Sequence, residues 1–374
     1  MSVTNIQSVP LGELLESYSV KCGDSKADVS GVDINKQFIS TRALMSDIDT
    51  SKYAVVYPGC FACNLMHIGR DELMPIAYNG TEKDFIVSPA YSTFRLKAGE
   101  HRVLAEYLYM FFCSSEIDRL TWFYTDSSIR GNLKESRLFD IIVPLPPIEE
   151  QRKLVAAWKA LRDMKKQNEA VAEPLFALCR SRLQEMKKEY EAVELGPLLI
   201  RLDERNVGNV IKDVKGLSVT KQFREPTAKV DKENLSAYKV VHPGQLSFVQ
   251  TTNNEKCFVC CISNYSFPIV VSSVNEVFDV ADKSKLIPEF IYLYFLRSEF
   301  DRYARFHSWG SARETFNWDS LCRVRIPLPP ISVQKALVDI YCCASEAKRI
   351  AEEADKLSRE ICPALIQQAA RGEC

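Results

Sequence analysis

The sequence lacks the features that mark several common classes of protein. It has no run of about 18 apolar residues, so we expect no membrane span. Its first residues do not combine a basic stretch with an apolar one, so we expect no secretion signal and a cytoplasmic location. Its 14 glycines include no Gly-Lys dipeptide and no glycine-rich dinucleotide-type turn, which argues against a nucleotide phosphate loop.

Charged residues are balanced, and histidine is scarce. The chain has 48 basic and 49 acidic side chains, a formal net charge of −1, and only 4 histidines. A protein that binds nucleic acid by itself usually carries a basic face. If this chain binds DNA, its contacts must form local clusters, and partner chains must neutralise much of the phosphate charge.

The 13 cysteines raise the question of a metal site. Cys60-x-x-Cys63 and Cys257-x-x-Cys260 both have the spacing of zinc ligands. However, the two pairs do not occupy equivalent positions in the repeat described next. We therefore predict no metal site, and we interpret the cysteines as buried, reduced side chains.

A long internal repeat is the main feature that the sequence does have. The run Ile141-Ile-Val-Pro-Leu-Pro-Pro-Ile148 returns 183 residues later as Val324-Arg-Ile-Pro-Leu-Pro-Pro-Ile331. Other residues match between the copies at spacings of 183 to 185, among them Lys36 and Lys221, Gln37 and Gln222, Tyr109 and Tyr292, Asp118 and Asp301. The matches extend over nearly the whole chain, so they predict two similar structural blocks.

Each block combines the signals of strands and helices. In the first, alternation over residues 29–40 predicts a hairpin, Tyr53-Ala-Val-Val-Tyr-Pro-Gly predicts a strand before a turn, and residues 103–120 have helical periodicity. We therefore predict an α+β fold with a pseudo-two-fold internal repeat. The predicted division is a first block at 1–147, a spacer helix at 148–192, a second block at 193–330 and a spacer helix at 331–374.

Each segment after the Pro-Pro pair predicts a long amphipathic helix. Apolar residues recur at alternating steps of three and four, as in the seam of a coiled coil. The first predicted seam is Leu154, Ala157, Leu161, Met164, Asn168, Val171, Leu175 and Leu178, and the second is Leu337, Ile340, Ala344, Ala347, Ala351, Ala354, Ser358 and Ile361. The shared phase favours antiparallel pairing of the two helices, with Asn168 as a polar register residue. The alternative is that each helix packs on its own block. Pro174 and Pro363 should kink or interrupt their helices.

These features together resemble the specificity subunit of Type I restriction–modification enzymes. The resemblance rests on two variable α+β blocks, each closed by Pro-Leu-Pro-Pro-Ile and followed by Glu149-Glu-Gln-Arg-Lys-Leu154 or Ser332-Val-Gln-Lys-Ala-Leu337, and it covers the whole chain. It implies two target recognition domains, each of which reads half of a bipartite site in double-stranded DNA. It also implies that the paired helices set the gap between half-sites and dock two DNA methyltransferase subunits, with motor-nuclease subunits in the complete assembly.

The same resemblance implies a chain without catalytic residues or a cofactor of its own. S-adenosylmethionine and ATP are then expected only on the partner subunits. The Leu-Pro-Pro-Ile runs lack the flanking polar and aromatic residues of an adenine methyltransferase motif, so we interpret them as rigid connections into helices. One alternative is a catalytic nuclease or methyltransferase piece of a restriction system, and another is a scaffold that binds only protein.

Polar loops at equivalent positions are the first candidates for DNA contact. Ser127-Ser-Ile-Arg-Gly131 contains Ser128 and Arg130, and Gly310-Ser-Ala-Arg-Glu314 contains Ser311 and Arg313. Hydroxyl and guanidinium groups on loops can bind phosphate oxygens. The pairs Lys36-Gln37 and Lys221-Gln222 are similar candidates, with solvated hairpin ends as the alternative. For the loops, the alternative is a structural arginine that binds a carboxylate within its own domain.

Segments that differ between the blocks should discriminate between DNA sequences. After the Pro-Gly turn, the first block has Asn64-Leu-Met-His-Ile-Gly-Arg70 and the second has Gln250-Thr-Thr-Asn-Asn-Glu-Lys256. Asn and Gln can bind adenine edges, and Arg and Lys can bind guanine edges. The candidates are Asn64, His67, Arg70, Thr252, Asn253, Asn254 and Lys256. The alternative is an ordinary loop with Met66 packed inside. We interpret Trp122, Tyr124, Phe306 and Trp309 as core residues.

Overall fold

The repeated Pro-Leu-Pro-Pro run ends a short strand and precedes a long helix at both of its positions in this computed structural model. The strands are Ile142–Leu145 and Arg325–Pro327, and the helices are Ile148–Glu189 and Ile331–Arg371. Proline fixes its own φ and disfavours a helical residue before it, so each helix begins only after the second proline of the pair. The predicted role of these runs is confirmed.

The chain forms two compact units, residues 1–168 with 349–374 and residues 169–348. The structure describes residues 6–23, 27–40, 49–66, 68, 72–126, 131–227, 229–251, 257–310 and 314–371. Each unit contains one of the repeated blocks and the adjoining parts of both long helices. Among the described helices, none is both long enough and apolar enough to cross a membrane.

The first unit is built on two four-stranded sheets and a core of apolar residues beneath its helices. Its strands are β1 Gln7–Pro10, β2 Leu15–Tyr18, β3 Asp28–Val32, β4 Phe38–Ser40, β5 Ala54–Val56, β6 Phe61–Cys63, β7 Ile76–Tyr78, β8 Phe85–Val87, β9 Ser92–Leu96 and β10 Ile142–Leu145. Its helices are α1 Leu11–Leu14, α2 Ala105–Phe112, α3 Ser115–Phe123, α4 Glu135–Phe139 and the start of α5 Ile148–Glu189. The sheet orders are β2-β9-β6-β7 and β4-β3-β8-β5, and β1 pairs with β10.

The second unit repeats the first four-stranded sheet and the separate strand pair, while two two-stranded sheets replace the other four-stranded sheet. Its strands are β11 Ala192–Glu194, β12 Leu199–Leu202, β13 Gly216–Leu217, β14 Phe223–Arg224, β15 Lys239–Val241, β16 Leu246–Val249, β17 Cys260–Ile262, β18 Ile269–Val271, β19 Asn275–Val280 and β20 Arg325–Pro327. Its helices are α6 Pro288–Phe295, α7 Ser298–Phe306, α8 Trp318–Cys322 and α9 Ile331–Arg371, with 3-10 turns at Gly196–Leu198 and Val207–Asn209. The sheet β12-β19-β16-β17 has the order of β2-β9-β6-β7, and β11 pairs with β20 as β1 pairs with β10. The predicted α+β repeat is therefore confirmed.

One predicted helix is two helices in the structure. The segment 103–120 was expected to form a single helix, but α2 ends at Phe112 and α3 begins at Ser115. The side chain of Ser114 accepts a hydrogen bond from the backbone N–H of Ile117, so it caps α3 in the way that serine commonly does. The break turns the last carbonyls of α2 toward the hairpin described below.

The long helices α5 and α9 contact each other within each unit, in antiparallel order. In the first unit, Lys165 Nζ lies 2.8 Å from Asp355 Oδ1. In the second unit, the rings of Phe176 and Tyr341 lie 5.5 Å apart, and Cys179 Sγ lies 3.9 Å from the carbonyl oxygen of Leu337. The helices continue through Pro174 and Pro363, so the predicted interruption does not occur.

The predicted seam is right for α9 and wrong for α5. The small residues Ala344, Ala347, Ala351 and Ala354 are all buried, as predicted. On α5, however, the buried stripe runs one residue later, through Val155, Trp158, Ala172, Cys179, Leu183 and Met186. A one-residue shift rotates a helix face by about 100°, which leaves Met164, Val171 and Leu178 exposed. Asn168 does not act across the seam, because its amide donates to the Met164 carbonyl of its own helix.

Two facts explain the error on α5. The helix packs on its own block as well as on α9, since Val155 and Trp158 belong to the core of the first unit. The half-buried stripe also includes Arg162, whose guanidinium lies 4.7 Å from the centre of the Trp158 ring, and Lys165. Long charged side chains can bury their stems while their ends find partners. A search for apolar periodicity passes over such residues.

A glutamine in the first turn of each long helix holds the helix to its block. Gln151 and Gln334 are fully buried. The amide nitrogen of Gln151 donates to the carbonyls of Arg102 and Pro146 at 2.7 and 2.9 Å, and its oxygen accepts from the Leu104 N–H at 3.0 Å. Gln334 makes the same three bonds, with Lys285, Pro329 and Ile287. These bonds join the start of the long helix to the segment before α2 or α6.

A buried lysine fixes the tip of one hairpin in each unit. The five residues between β3 and β4 place Lys36 at φ +62°, and those between β13 and β14 place Lys221 at φ +61°. Both lysines are 5% exposed. Their ammonium groups lie 2.6 and 2.7 Å from Oδ1 of Asp118 and Asp301. We call these two ion pairs the lysine–aspartate locks.

The locks also join the hairpins to the two short helices of each unit. Lys36 Nζ donates to the Phe112 carbonyl at 2.5 Å, and Lys221 Nζ donates to the Phe295 carbonyl at 2.6 Å. The hydroxyls of Tyr109 and Tyr292 donate to the carbonyls of the same lysines, each at 2.8 Å. A non-glycine residue with positive φ is uncommon. These bonds hold the strained turn in place.

Removal of the Gln151 side chain should destabilise the first unit. Gln151→Ala removes three hydrogen bonds and leaves the buried carbonyl of Pro146 unpaired, so we expect it to lower the free energy of unfolding by about 2–4 kcal/mol, since an unpaired buried group costs roughly 1–3 kcal/mol and an ordinary hydrogen bond contributes about 1 kcal/mol. Urea unfolding followed by circular dichroism measures this. Gln167→Ala, an exposed position on the same helix, is the control. Equal stability of the two variants would contradict the role given to Gln151.

Removal of the lysine from a lock should cost more than removal of a surface lysine. Lys36→Met leaves the carboxylate of Asp118 without its cation, and loss of one partner of a buried ion pair costs about 3–5 kcal/mol. The double variant Lys36→Met with Asp118→Asn should recover part of this loss because it removes the unpaired charge. Lys52→Met, at an exposed position, is the control in the same unfolding experiment. A Lys36→Met variant as stable as this control would show that the pair does not stabilise the fold.

Candidate nucleic-acid interface

The hairpin tips present an exposed glutamine at the same place in each unit. Gln37 and Gln222 are exposed and follow the buried lysines directly. The backbone N–H of Gln37 donates to Asp33 Oδ1 at 2.8 Å, and that of Gln222 donates to Ser218 Oγ at 3.3 Å. The turn therefore holds the backbone of each glutamine, while its side chain faces solvent.

The lysines of these tips are buried and not exposed as predicted. Lys36 and Lys221 were candidates for DNA contact, with a solvated hairpin end as the alternative. Neither interpretation agrees with the structure, because both ammonium groups are buried on a carboxylate and a helix carbonyl. A phosphate oxygen would have to break the locks to reach them. Lys36 and Lys221 position the glutamines and do not extend toward a ligand.

The segments that vary between the blocks are held at both ends in the same way. At their far ends, the N–H groups of Met74 and Phe258 donate to Oδ1 of Asp118 and Asp301, each at 2.9 Å. At their near ends, the carbonyls of Leu65 and Gln250 accept hydrogen bonds, as described next. The lock that fixes each hairpin therefore also fixes the end of the neighbouring variable segment.

Each variable segment is joined to the serine–arginine loop of its own unit. The Leu133 N–H donates to the Leu65 carbonyl at 2.9 Å, and the Phe316 N–H donates to the Gln250 carbonyl at 2.8 Å. Leu133 and Phe316 each lie two residues after the serine–arginine loop of their unit. The base of each loop is closed by backbone bonds, Asp126 to Asn132 and Thr315 to Trp309. The structure thus brings together two segments that the sequence only suggested separately.

Many candidates themselves lie outside the described residues. These are His67, Arg70, Ser128, Arg130, Thr252, Asn253, Asn254, Lys256, Ser311 and Arg313. Asn64 is described, and its Oδ1 accepts from the Met66 N–H at 3.0 Å, which forms a local turn. Met66 itself is 39% exposed and not packed inside the loop. The DNA-contact role of these residues stays a prediction.

Several aromatic residues near the loops are exposed and do not belong to the core. Phe306 and Trp309 are 84% and 63% exposed, and Trp122 is 45% exposed, so the prediction of core positions was wrong for these three. Tyr124 is half-buried against the core of the first unit. Phe123, which matches Phe306 at the spacing of 183, is 73% exposed. Amphipathic helices α3 and α7 therefore end with an exposed ring at the same place in both units.

The second unit has a charged cluster that the sequence analysis missed. Its centre is Glu276 on β19, whose side chain is 3% exposed. Arg201 on β12 donates to this carboxylate through Nε at 2.8 Å and Nη2 at 2.6 Å, and the Gln250 amide donates at 2.7 Å. Lys239 Nζ lies 3.4 Å from the same carboxylate and 3.3 Å from Asp203. We call these residues the Glu276 cluster.

The charges of this cluster support one another. The hydrogen bonds to Glu276 raise the pKa of the Arg201 guanidinium above its ordinary value. A hydrogen bond from Arg205 lowers the pKa of Asp203 below its ordinary value. The Arg201 guanidinium and the Asp203 carboxylate are therefore charged at neutral pH. They line a cleft with a volume of about 690 Å³, and Gln250 and Thr251 at the start of the variable segment line it too.

The cysteines of the two Cys-x-x-Cys pairs are mostly buried, as predicted. Cys60, Cys63 and Cys260 are buried and Cys257 is partly so, and none of them forms a disulfide. Burial raises the pKa of the Cys60, Cys63 and Cys260 thiols. In the part of the chain that the structure describes, no group of three or more His, Cys, Asp or Glu could hold a metal ion.

Comparison with known proteins gives a match of fold. No protein-family model and no curated protein matches the chain. Among solved structures, the chain is similar to the Type-I restriction-modification system S subunit from M. genitalium, with 11% identity, a TM-score of 0.60, and coverage of 98% of this chain and 96% of that one. The HsdS subunit from Thermoanaerobacter tengcongensis matches with 17% identity, a TM-score of 0.41, and 96% coverage of both chains. The chain has the fold of the M. genitalium S subunit over nearly its whole length.

Proposed function

We propose that this chain is the DNA-recognition subunit of a Type I restriction–modification complex and has no catalytic activity of its own. Each unit reads one half of a bipartite site in double-stranded DNA. The long helices α5 and α9 set the gap between the half-sites and dock two methyltransferase subunits. The complete assembly adds motor-nuclease subunits. S-adenosylmethionine and ATP bind to those partners, which act on DNA in the cytoplasm.

One observation carries this proposal. In each unit, a segment that differs between the blocks bonds at one end to a residue just after the shared serine–arginine loop and at the other end to the aspartate of the shared lock. Groups common to both units suit contacts with the DNA backbone, which has the same chemistry at every base pair. Groups that differ suit the base edges, which carry the sequence. An S-subunit fold supports the same assignment.

The proposed contacts divide in the same way. Gln37 and Gln222 at the hairpin tips, Ser128 with Arg130, and Ser311 with Arg313 bind phosphate. The base-reading groups lie in the segments that differ, and they are Asn64, His67, Arg70, Thr252, Asn253, Asn254 and Lys256. Lys36 and Lys221 are left out of the proposed interface because the locks engage their charges.

Exposed apolar residues on the long helices are the proposed docking sites for methyltransferase subunits. Met164 in the first unit, and Val171 and Leu178 in the second, are each about half exposed. Val171 and Leu178 lie seven residues apart, so they share one face of the part of α5 that belongs to the second unit. Surface apolar residues clustered on one face mark sites of protein interaction. In α9, Leu357 of the first unit is exposed as well.

Exchange of one block tests the proposed function. Replacement of residues 1–140 by the same block of another S subunit should change one half-site and leave the other half-site unaltered, because each unit makes its own base contacts. Methylome sequencing of cells that carry the variant and its methyltransferase reads both half-sites. A change in both half-sites, or in neither, would contradict the proposal. Methyl transfer by the purified chain alone would favour the catalytic alternative.

Lysine substitutions on the exposed face of α5 test the docking sites. Val171→Lys with Leu178→Lys should weaken binding of the methyltransferase subunit by roughly 10-fold or more, since each buried apolar side chain contributes about 1.5–3 kcal/mol. Isothermal titration calorimetry with the purified methyltransferase measures this. Ala177→Lys, at an exposed position on a different face of α5, is the matched control. Equal affinities of the double variant and wild type would place the docking site elsewhere.

A further inference from the structure

We propose that the Glu276 cluster of the second unit forms a subsite for one guanine of the second half-site, read by the guanidinium of Arg201. This inference rests on the proposed function and names the residue and the base that carry part of it.

Arg201 is held rigidly by one edge, and its other edge makes no hydrogen bond to the residues that the structure describes. Its Nε and Nη2 both bond to the buried carboxylate of Glu276, which fixes the plane of the guanidinium. Because the guanidinium is planar, Nη1 and the second hydrogen of Nη2 face away from Glu276. The side chain is 52% exposed and lines the cleft. Two parallel donors in this arrangement match O6 and N7 of guanine in the major groove.

The position of the cleft agrees with a role in base reading. Gln250 donates to Glu276, and Thr251 lines the same cleft, so the cluster adjoins the first residues of the variable segment. The carbonyl oxygen of Gln250 also accepts a hydrogen bond from the N–H of Phe316, two residues after the serine–arginine loop. A base that contacts Gln250 or Thr251 therefore lies in the same cleft as Arg201.

The acidic groups of the cleft favour a base over a phosphate. Asp203 and Glu276 line the cleft together with Arg201, Arg205 and Lys239. Each of the three basic groups is already paired with Asp203 or Glu276, so three positive and two negative charges leave the cleft with little attraction for a phosphate group. The edge of guanine is uncharged, so its binding does not require such attraction. Hydrogen bonding, rather than net charge, determines what this cleft can bind.

Strand register shows that the cluster belongs to the second unit alone. Phe278 on β19 and Phe94 on β9 occupy equivalent positions in the two units. Arg201 pairs with Phe278 and Ser17 pairs with Phe94, so Ser17 is the counterpart of Arg201 in the first unit. By the same comparison of strand pairing, Ser92 is the counterpart of Glu276 and Ala54 is the counterpart of Lys239. Both units have the strands, the lysine–aspartate locks and the buried glutamine of the long helix, whereas only the second unit has this cluster. A difference at one place in a shared frame is what two readers of different half-sites require.

The test uses Arg201→Lys and Arg201→Ala in the complex of the full chain with its methyltransferase subunits. Lysine keeps the positive charge but cannot form two parallel bonds. Binding to a DNA library with both half-sites randomised measures the base preference at each position. We expect the preference for guanine at one position of the second half-site to fall roughly 10- to 100-fold, because a good bidentate contact contributes about 1–3 kcal/mol of discrimination. All other positions, including the first half-site, should keep their preferences.

Controls separate base reading from two other roles. Arg302→Ala removes an exposed arginine of the same unit outside the cluster, and it should leave every base preference unchanged. If Arg201→Ala weakens binding to all sequences equally and lowers the salt dependence, then Arg201 binds phosphate and the inference is wrong. If neither Arg201 variant changes base preference, the cluster is only structural and the inference is again wrong. A wild-type complex without preference at either half-site would instead overturn the proposed function itself.

Discussion

The buried ion pair between a hairpin lysine and a helix aspartate is the constraint on which each unit depends. The lysine sits at a positive φ, which a residue with a side chain rarely adopts. Its ammonium group is out of water, where an unpaired charge is very costly. Both features persist because the aspartate and a helix carbonyl bind the ammonium group, while a tyrosine hydroxyl donates to the backbone carbonyl of the same lysine. The aspartate also bonds the end of the variable segment, so one set of bonds fixes a hairpin, two helices and a loop.

This arrangement separates the frame of each unit from its variable parts. A buried network of this kind tolerates little change, because loss of any member leaves another polar group unpaired. The segment between its anchor points is free to vary in sequence as long as its ends keep their backbone bonds, which need no particular side chain. The same logic applies to Gln151 and Gln334, whose three bonds all go to backbone groups. A frame built in this way can carry different readers in its two copies.

The sequence predicted the repeat, the long helices and the seam of α9, because all three depend on local patterns that recur in the chain. Predictions from the sequence were wrong where charged side chains are packed against other residues and where aromatic side chains are exposed. Arg162 and Lys165 lie on the packed face of α5 although they are charged, and Phe306 and Trp309 are exposed although they are aromatic. Lys36 and Lys221 were assigned to the surface for the same reason. The matched pairs Lys36/Lys221 and Asp118/Asp301 were visible in the repeat, but nothing in their spacing indicated that they meet.

The Glu276 cluster could not be found by pattern, since Arg201 and Glu276 lie 75 residues apart and meet only through the register of β12 and β19. One comparison within the sequence does point to it, namely that charged residues in one block replace Ser17, Ala54 and Ser92 of the other.

The balanced charge of the chain is consistent with a reader that depends on partners for affinity. Most of the affinity of a protein for DNA comes from neutralised phosphates, and this contribution does not depend on sequence. A chain with a net charge of −1 has little of it to offer. Acidic groups such as Asp203 and Glu276 beside a reading arginine lower the affinity for every sequence. The loss of affinity is smaller for a DNA sequence whose base supplies two acceptors to that arginine. Discrimination between sequences arises from this difference in affinity. Partner subunits can provide the missing phosphate contacts without any loss of specificity, because those contacts are the same at every site.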